Sequence, residues 1–240
     1  MFLKVQNISK SFGSQQVLSS INLQCGLGET LSVLGTSGCG KTTLLKILAG
    51  LEASDSGAIE LDHADVGSTP ANQRGVVYLF QHPLLFPHLN VFQNIAFGLK
   101  LKKVEKPVVK QQVDEMIDDL QLRGSEHKMP NELSGGQKQR VSFGRALILK
   151  PKLLLLDEPF SSLDIETKKS MQALFIRMKQ KHRLTSLFVT HDAREALVVG
   201  DAWAYLEAGK LDSFENKNAF VNDYRTGVKD EMRFWENLNE

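Results

Sequence analysis

The chain has 240 residues, of which 42% are hydrophobic and 24% charged, a composition typical of a globular protein with one large core. Its formal net charge of +1 lacks the basic excess that nucleic-acid binding normally needs, so we expect no nucleic-acid partner. The two cysteines, Cys25 and Cys39, are too few for a disulfide framework or a multi-cysteine zinc site. The sequence has no signal-peptide pattern and no run of about 18 apolar residues, so we expect any membrane association to be from the aqueous side.

Short apolar runs along the chain predict β-strands. They cover residues 2–5, 17–23, 30–34, 58–61, 76–80, 153–156, 186–190 and 202–206. Residues 35–40 form a glycine-dense loop directly after the third run, and residues 44–48 indicate the first turns of a buried helix. Strand, glycine loop and helix in this order are typical of a nucleotide-binding α/β sheet.

The middle of the chain has a different pattern. Residues 99–122 are rich in charge, and apolar residues recur there at helical spacing. These are Val109, Val113, Met116, Ile117 and Leu120. We therefore predict a single domain over residues 1–240. It has a catalytic α/β core at about 1–82 and 133–212, an inserted helical subdomain at about 83–132, and a helical tail at about 213–240.

The tail carries apolar residues three or four apart, namely Phe220, Tyr224, Val228, Met232 and Trp235. This spacing predicts one or two amphipathic helices. We expect them to pack on the body of the protein, with contact to a second subunit as the alternative.

Residues 35–42, Gly-Thr-Ser-Gly-Cys-Gly-Lys-Thr, match the phosphate-binding loop (P-loop) pattern between a strand and a helix. Glycines let successive backbone N–H groups face phosphate oxygens, and the helix start adds a positive dipole. Lys41 is expected to bridge the β- and γ-phosphates and Thr42 to hold Mg²⁺; a glycine-rich turn without a ligand is the alternative. The predicted loop residues are Gly35, Thr36, Ser37, Gly38, Cys39, Gly40, Lys41, Thr42 and Thr43. At Cys39 we expect a small residue whose side-chain identity matters little rather than a catalytic thiol; the nearby lysine and helix start favour a lowered pKa for its thiol.

A hydrophobic run at residues 153–156 ends in two carboxylates, Asp157 and Glu158. In P-loop NTPases an aspartate at this place helps to hold Mg²⁺. We expect Glu158 to point the other way and to polarise the attacking water as a general base. A strand that ends in Asp-Glu is common in structural roles, so this prediction depends on the P-loop upstream.

Residues 133–140, Leu-Ser-Gly-Gly-Gln-Lys-Gln-Arg, predict a second phosphate-binding helix start. Ser134 is a good N-cap, and Gly135 and Gly136 let a phosphate approach closely. One nucleotide has no evident need for both helix starts of the same chain. The alternative is a helix start that is merely softened by glycine.

Over about residues 1–212 the sequence resembles the ABC ATPase family, because residues 133–137 match its Leu-Ser-Gly-Gly-Gln signature. Phe12 matches the aromatic that stacks on adenine, Gln81 the Q-loop glutamine, residues 161–164 the D-loop, and His191 the switch histidine. Taken singly, Phe12 is equally consistent with core packing, Gln81 with a solvated strand end, and His191 with a satisfied strand-end histidine.

The resemblance implies an α/β P-loop NTPase with an ABC ATPase core, an antiparallel β subdomain and an inserted helical subdomain. It implies ATP hydrolysis with Glu158, His191 and Gln81 as catalytic residues. It further implies Mg²⁺ held by Thr42, Gln81 and Asp157, and ATP contacted by Phe12 and the P-loop. The remaining ATP contacts, Ser134, Gly135, Gly136, Gln137 and Asp164, are implied to act in a head-to-tail pair of copies that closes on two ATP molecules.

Residues 80–99 resemble the bacterial importer branch for ferric, polyamine, sulfate or thiamine-type solutes. This implies an ATP-hydrolysing subunit, peripheral on the cytoplasmic side of the inner membrane, with integral membrane permease subunits and a solute-binding protein as partners. Residues 84–92 then form either the groove for a short helix of the permease or packing within the helical subdomain. We expect the extra C-terminal β domain of many such importers to be missing.

Three alternatives remain at this level. A non-transport ABC ATPase of translation or DNA repair usually carries two cassettes or a long coiled-coil insertion, which this sequence does not show. A P-loop kinase or GTPase has no place for residues 133–137, and the Asn-Lys-x-Asp guanine-reading sequence is missing. A purely structural α/β protein would require all the motifs to occur in order by coincidence.

Overall fold

The computed structural model describes residues 1–237, apart from the side chains of Met232 and of residues 234–237. Its strands are β1 (Leu3–Phe12), β2 (Gln15–Cys25), β3 (Thr30–Leu34), β4 (Ser56–Leu61), β5 (Ala64–Asp65), β6 (Val76–Leu79), β7 (Leu153–Asp157), β8 (Ser186–Thr190), β9 (Ala202–Glu207) and β10 (Lys210–Phe214). Its α-helices are α1 (Lys41–Ala49), α2 (Val91–Leu101), α3 (Lys106–Asp119), α4 (Gly135–Leu147), α5 (Ile165–His182), α6 (Ala193–Val199), α7 (Lys217–Asn222) and α8 (Val228–Asn237).

The larger sheet has six strands in the order β10-β9-β3-β8-β7-β6, and all neighbours are parallel except β10 on β9. In β7, Leu154 and Leu156 face one hydrophobic cluster and Leu153 and Leu155 face another. A strand buried on both faces is a continuous apolar run, which is why the sequence revealed it. Each buried leucine stabilises the fold by about 1.5–3 kcal/mol. The strand delivers Asp157 to the carboxyl edge of the sheet, where α/β proteins bind ligands.

The smaller sheet is antiparallel, with strand order β2-β1-β4-β5, and it shares a hydrophobic cluster with α1. The prediction of a first strand over residues 2–5 was too short, because β1 continues to Phe12. Register shifts follow Val5 and Ile8, and Asn7 has a left-handed φ of 51°. These irregularities break the alternation that reveals a strand in the sequence.

Helices α2, α3 and α4 pack on the side of the larger sheet that is opposite to α1. The apolar positions predicted on α3 are confirmed: Val113 and Ile117 are fully buried in one cluster with Ile95 of α2 and Val141 of α4. Pro107, in the first turn of α3, suits a helix start because its missing N–H has no partner there. The helices thus form one side of the core and carry the start of α4 to the protein surface.

The tail consists of α7, a 3₁₀ turn and α8. Phe220 is fully buried, and its ring meets Phe214 edge-on at 5.3 Å between centroids. Val228 is also buried, whereas Tyr224 is 84% exposed. Packing of the tail on the body is therefore confirmed for Phe220 and Val228; the side chains of Met232 and Trp235 lie outside the described residues. Among the described helices, none combines the length and the apolar character that crossing a bilayer requires.

Candidate functional site

The loop between β3 and α1 has a backbone that requires glycine. Gly38 and Gly40 have φ values of 81° and 110°, in the left-handed region. A Cβ on Gly35 would lie 2.4 Å from the carbonyl oxygen of Leu206, so this residue lets the loop approach β9 closely. The loop ends where α1 begins at Lys41, so the positive end of the helix dipole faces the loop.

Lys41 is 5% exposed, and its ammonium is directed back over the loop. Its Nζ donates to the carbonyl oxygens of Gly35 at 2.7 Å and Thr36 at 2.9 Å. It also lies 3.5 Å from Oε1 of Glu158. The cation therefore stands between the glycine loop and the acidic end of β7.

Asp157 accepts two hydroxyl hydrogen bonds on one carboxylate oxygen. Thr42 Oγ1 donates to Oδ2 at 2.9 Å, and Tyr78 Oη donates to the same oxygen at 2.5 Å. Burial, together with the hydrogen bond to Asp157, raises the pKa of Tyr78. The phenol therefore stays protonated and is a permanent donor at neutral pH. Sequence analysis missed Tyr78, since a tyrosine within a strand pattern looks like ordinary sheet packing.

Glu158 lies just beyond the end of β7 with a left-handed φ of 45°. Its Oε2 lies 2.7 Å from Nδ1 of His191, which follows β8 and is half exposed. Asp157 and Glu158 were predicted to point different ways while serving one nucleotide. They have different partners, but both line the same cleft, because Glu158 has left the strand and its alternation no longer applies.

Gln81 reaches the same region by a side-chain relay. Its Nε2 donates to Oγ of Ser161 at 3.0 Å, and that hydroxyl donates to the backbone carbonyl of Glu158 at 3.0 Å. Gln81, which matches the Q-loop glutamine, and Ser161, which lies in the segment that matches the D-loop, are thus hydrogen-bonded to each other next to Glu158. The hydrogen bond also gives Gln81 a specific partner, although its side chain is exposed.

His191 lines a separate surface depression, whereas Lys41, Thr42, Gln81 and the two carboxylates line one cleft of about 440 Å³. Its lining consists of Phe12, Val17, Ser37, Gly38, Gly40, Lys41, Thr42, Thr43, Gln81, Asp157 and Glu158. Phe12 is 49% exposed, and Lys10 Nζ lies 5.0 Å from the centroid of its ring. The alternative of core packing for Phe12 is therefore wrong.

The donor set fits Mg²⁺ that arrives with a nucleotide. The Thr42 hydroxyl and the Asp157 carboxylate are the oxygen ligands that Mg²⁺ prefers, and such sites commonly use one or two carboxylates plus phosphate oxygens. Among the side chains that the structure describes, there is no group of three or more His, Cys, Asp or Glu that could hold a metal alone. The geometry therefore favours a shared metal–phosphate site.

The predicted N-cap at Ser134 is confirmed. Its Oγ accepts from the Gln137 N–H at 3.2 Å, and Gln137 Oε1 accepts from the Ser134 N–H at 3.0 Å. This reciprocal pair, a capping box, begins α4. Ser134, Gly136 and Gln137 line a separate surface depression of about 660 Å³. Among the described residues, the cleft at Lys41 includes none of these signature residues.

Two further residues connect the signature helix and the D-loop to the body. Gln139, buried in α4, donates Nε2 to the carbonyl oxygen of Pro159 at 2.9 Å, immediately after Glu158. Asp164 caps α5 by accepting from the Thr167 N–H at 3.0 Å, and such hydrogen bonds lower the pKa of its carboxyl. No sequence pattern indicated Gln139, because its role depends on a contact with a residue 20 positions along the chain.

The predicted lowering of the Cys39 pKa is wrong. Burial of the thiol raises its pKa, and the opposing effect of Lys41 is smaller. The sequence placed the lysine and the helix start correctly, but it could not reveal how far this small side chain is withdrawn from water.

A second cleft, of about 280 Å³, lies beside the first, and we call it the apolar cleft. It is lined by Val77, Tyr78, Leu79, Phe80, Leu84, Phe86, Phe97, Gly98, Leu101, Ser142, Arg145, Ala146 and Leu149. The centroids of the Phe86 and Phe97 rings lie 4.4 Å apart. The guanidinium of Arg145 lies 4.9 Å from the centroid of the Phe86 ring. Of the segment at residues 84–92, Leu84 and Phe86 line this cleft, whereas Val91 is buried within the helical core.

A buried side chain that the sequence did not single out holds this segment in place. Asn94 of α2 accepts from the Phe86 N–H at 2.9 Å and donates to the Leu89 carbonyl oxygen at 2.7 Å. It is fully buried, so its hydrogen bonds are made in the absence of competing water. The loop that carries Leu84 and Phe86 is thereby anchored to α2.

Comparison with known proteins agrees with this geometry. The model of the family described as ABC transporter matches residues 18–161. The chain belongs to the ABC transporter family. Its fold is accordingly that of an ABC-type P-loop NTPase, with a mixed α/β sheet, a separate antiparallel sheet and additional helices.

Among the relatives of this ABC protein are importer subunits. The sulfate/thiosulfate import ATP-binding protein of Methylococcus capsulatus is 45% identical over 216 residues, which cover 88% of this chain and 62% of that protein. The spermidine/putrescine import ATP-binding protein of Protochlamydia amoebophila is 41% identical over 227 residues, covering 91% and 61%. The chain thus spans a little over three fifths of the length of these relatives.

Proposed function

We propose that this ABC protein binds ATP with Mg²⁺ and hydrolyses it to drive solute import through separate membrane subunits. The observation that carries the proposal is the series of contacts from Lys41 through Glu158 to His191, beside the hydroxyl-bonded carboxylate of Asp157. This arrangement places a cation, a base candidate and a metal-binding carboxylate around one cleft.

The chemistry assigns a role to each group. The exposed ring of Phe12 offers a stacking face for adenine, and Lys41 with the N–H groups at the start of α1 binds the phosphates. Thr42, Asp157 and Gln81 hold Mg²⁺, which neutralises phosphate charge. Glu158 takes the proton of the attacking water. His191, bonded to Glu158 through Nδ1, presents its other edge to the γ-phosphate.

The signature residues act on a second copy of the chain. Ser134, Gly135, Gly136, Gln137 and Asp164 lie away from the cleft at Lys41 within one chain, yet Ser134 caps a helix start suited to phosphate. A head-to-tail pair brings this helix start to the partner's ATP. Because the closed pair alone offers both sets of contacts, ATP favours closure and hydrolysis reverses it.

The transport role is supported by the relatives, which are named as import ATP-binding proteins. In this role the protein is peripheral on the cytoplasmic side of the membrane and works with integral permease subunits and a solute-binding protein. The apolar cleft, lined by Leu84 and Phe86, is the docking place for a short helix of the permease. We assign no solute to this chain. The solutes named for the relatives include both anions, such as sulfate, and cations, such as spermidine.

The domain division follows from these roles. Residues of about 1–82 and 133–212 form the catalytic core, those of about 83–132 the helical subdomain, and those of about 213–240 the tail. In this division the P-loop and Glu158 belong to the core, and the apolar cleft lies where the core meets the helical subdomain.

The test is the variant Glu158→Gln, which keeps the size of the side chain but removes the base. We expect ATP hydrolysis to fall by about 10²–10⁴-fold, because general-base help is typically of that size. ATP binding, measured by calorimetry, should persist, and gel filtration with ATP should show a dimer. Glu115→Gln, at an exposed position of α3, is the matched control. Turnover of Glu158→Gln at the wild-type rate would contradict the assignment.

A further inference from the structure

Tyr78 lies between the two clefts and has a different contact on each side. Its hydroxyl donates to Asp157 Oδ2 at 2.5 Å. Its ring meets, at 4.5 Å between centroids and close to edge-on, the ring of Phe80, which lines the apolar cleft. The same side chain therefore contacts the Asp157 carboxylate at its tip and, along its ring, a residue of the apolar cleft.

The hydroxyl is not required for packing. Phenylalanine would fill the same space, and a buried hydroxyl lowers stability unless it finds a hydrogen-bond partner. Here the partner is a carboxylate that is itself 8% exposed and that also accepts from Thr42. Two hydroxyl donors, one from β6 and one from α1, thus fix the orientation of the Asp157 carboxylate.

Partners that orient a metal ligand affect metal binding without touching the metal. Their loss typically lowers metal affinity by about 10–100-fold. The ring of Tyr78 is held in turn by Phe80, which is 39% exposed in the apolar cleft. Any change in the packing of Phe80 therefore reaches the hydroxyl through one rigid aromatic ring.

We propose that Tyr78 is a positioning residue whose hydroxyl orients Asp157 for Mg²⁺ and whose ring makes that orientation depend on the apolar cleft. The inference rests on the proposed function of the cleft at Lys41. In this proposal, contacts of Phe80 and Tyr78 connect the permease docking place to the metal site.

The first experiment measures ADP binding to Tyr78→Phe by calorimetry, once with Mg²⁺ and once with EDTA. We expect the enhancement of affinity by Mg²⁺ to fall about tenfold, while affinity in EDTA is unchanged, because only the metal ligand loses its partner. A general structural defect would lower both. Tyr224→Phe, at an 84% exposed tyrosine of the tail, should behave as wild type. An unchanged Mg²⁺ enhancement in Tyr78→Phe would overturn the proposal.

The second experiment tests the link to the apolar cleft. Phe80→Ala removes the aromatic partner of Tyr78, and we expect it to lower the Mg²⁺ enhancement about threefold, in keeping with the energy of one aromatic pair. In the Tyr78→Phe background the same change should have no further effect, because it acts through the hydroxyl. Leu101→Ala, in the same cleft but on α2, is the control and should leave the enhancement unchanged. No effect of Phe80→Ala, or equal effects in both backgrounds, would overturn the link.

The wild-type measurement separates the two levels of the argument. If wild-type protein binds no ADP, the proposed nucleotide site and this inference both fall. If wild-type protein binds ADP with a clear Mg²⁺ enhancement and Tyr78→Phe matches it, the proposed function stands and only the role of Tyr78 is wrong.

Discussion

Lys41 and Glu158 form an ion pair at the cleft, and this contact bears on the proposed reaction. Lys41 Nζ lies 3.5 Å from Glu158 Oε1, and the pair is largely shielded from water. A bound nucleotide offers Lys41 its phosphates in place of the carboxylate. We therefore expect Glu158 to become available as a base only when its cation has been taken by phosphate, which couples activation of water to substrate binding.

The raised pKa of the Cys39 thiol predicts how its alkylation rate depends on pH. The thiolate is the reactive form, and burial raises the Cys39 pKa above its usual range. We expect alkylation by iodoacetamide to accelerate about tenfold per pH unit across about pH 7–8.5 without a plateau, since the thiol is still mostly protonated there. Mass spectrometry of the labelled peptide gives the rate.

Labelling of Cys25 and labelling in the presence of nucleotide are the two controls for this measurement. Cys25 is 1% exposed, and burial raises its pKa to about 12, so it should stay unlabelled in the folded protein. A saturating nucleotide should slow labelling of Cys39, because this residue lies in the phosphate loop. A plateau near neutral pH would mean a lowered pKa and would contradict the structure.

At the scale of elements, Arg74 joins the end of α1 to the chain that precedes β6. It is 7% exposed, and its guanidinium donates to four backbone carbonyl oxygens. These belong to Ile47, Leu48, Gly67 and Thr69, at 2.7–3.1 Å. A single side chain thus donates to two of the C-terminal carbonyls of the P-loop helix, those of Ile47 and Leu48.

We expect Arg74→Ala to lower the free energy of unfolding by about 3 kcal/mol, because buried carbonyls lose charged donors. Urea unfolding followed by circular dichroism measures it. The control is Arg123→Ala, which removes an exposed ion pair with Asp118 and should change little, since exposed ion pairs contribute little. Equal stability of the two variants would show that Arg74 is not a structural clamp.

The sequence predicted elements well where burial is continuous or periodic, and less well elsewhere. The leucines of β7 and the helical spacing of α3 are strong patterns. Strand β10 escaped prediction because its side chains are exposed or half-buried, so hydrophobic alternation is missing. The contacts of Tyr78, Asn94 and Gln139 depend on neighbours far along the chain, and no local pattern contains that information.

At the scale of the whole molecule, the proposed function assigns the two halves of a nucleotide site to different surfaces. The cleft at Lys41 holds the loop, the metal-binding carboxylate and the base, while the depression at Ser134 holds a capped helix start. Under the proposed function, the site at Lys41 is completed by the helix start of a second copy. Two-fold symmetry satisfies both copies at once, since each supplies what the other needs.

Mixing two inactive variants tests this sharing most directly. Lys41→Ala removes the ammonium group that binds phosphate, and Ser134→Arg blocks the start of α4. Each variant alone should therefore lack ATP turnover. In an equal mixture, random pairing gives one intact site in half of the dimers, so we expect about a quarter of the wild-type ATPase rate. The measurement is ATP turnover against mixing ratio, with the proper membrane partner present. A mixture that forms dimers yet stays as inactive as either variant would contradict the shared site.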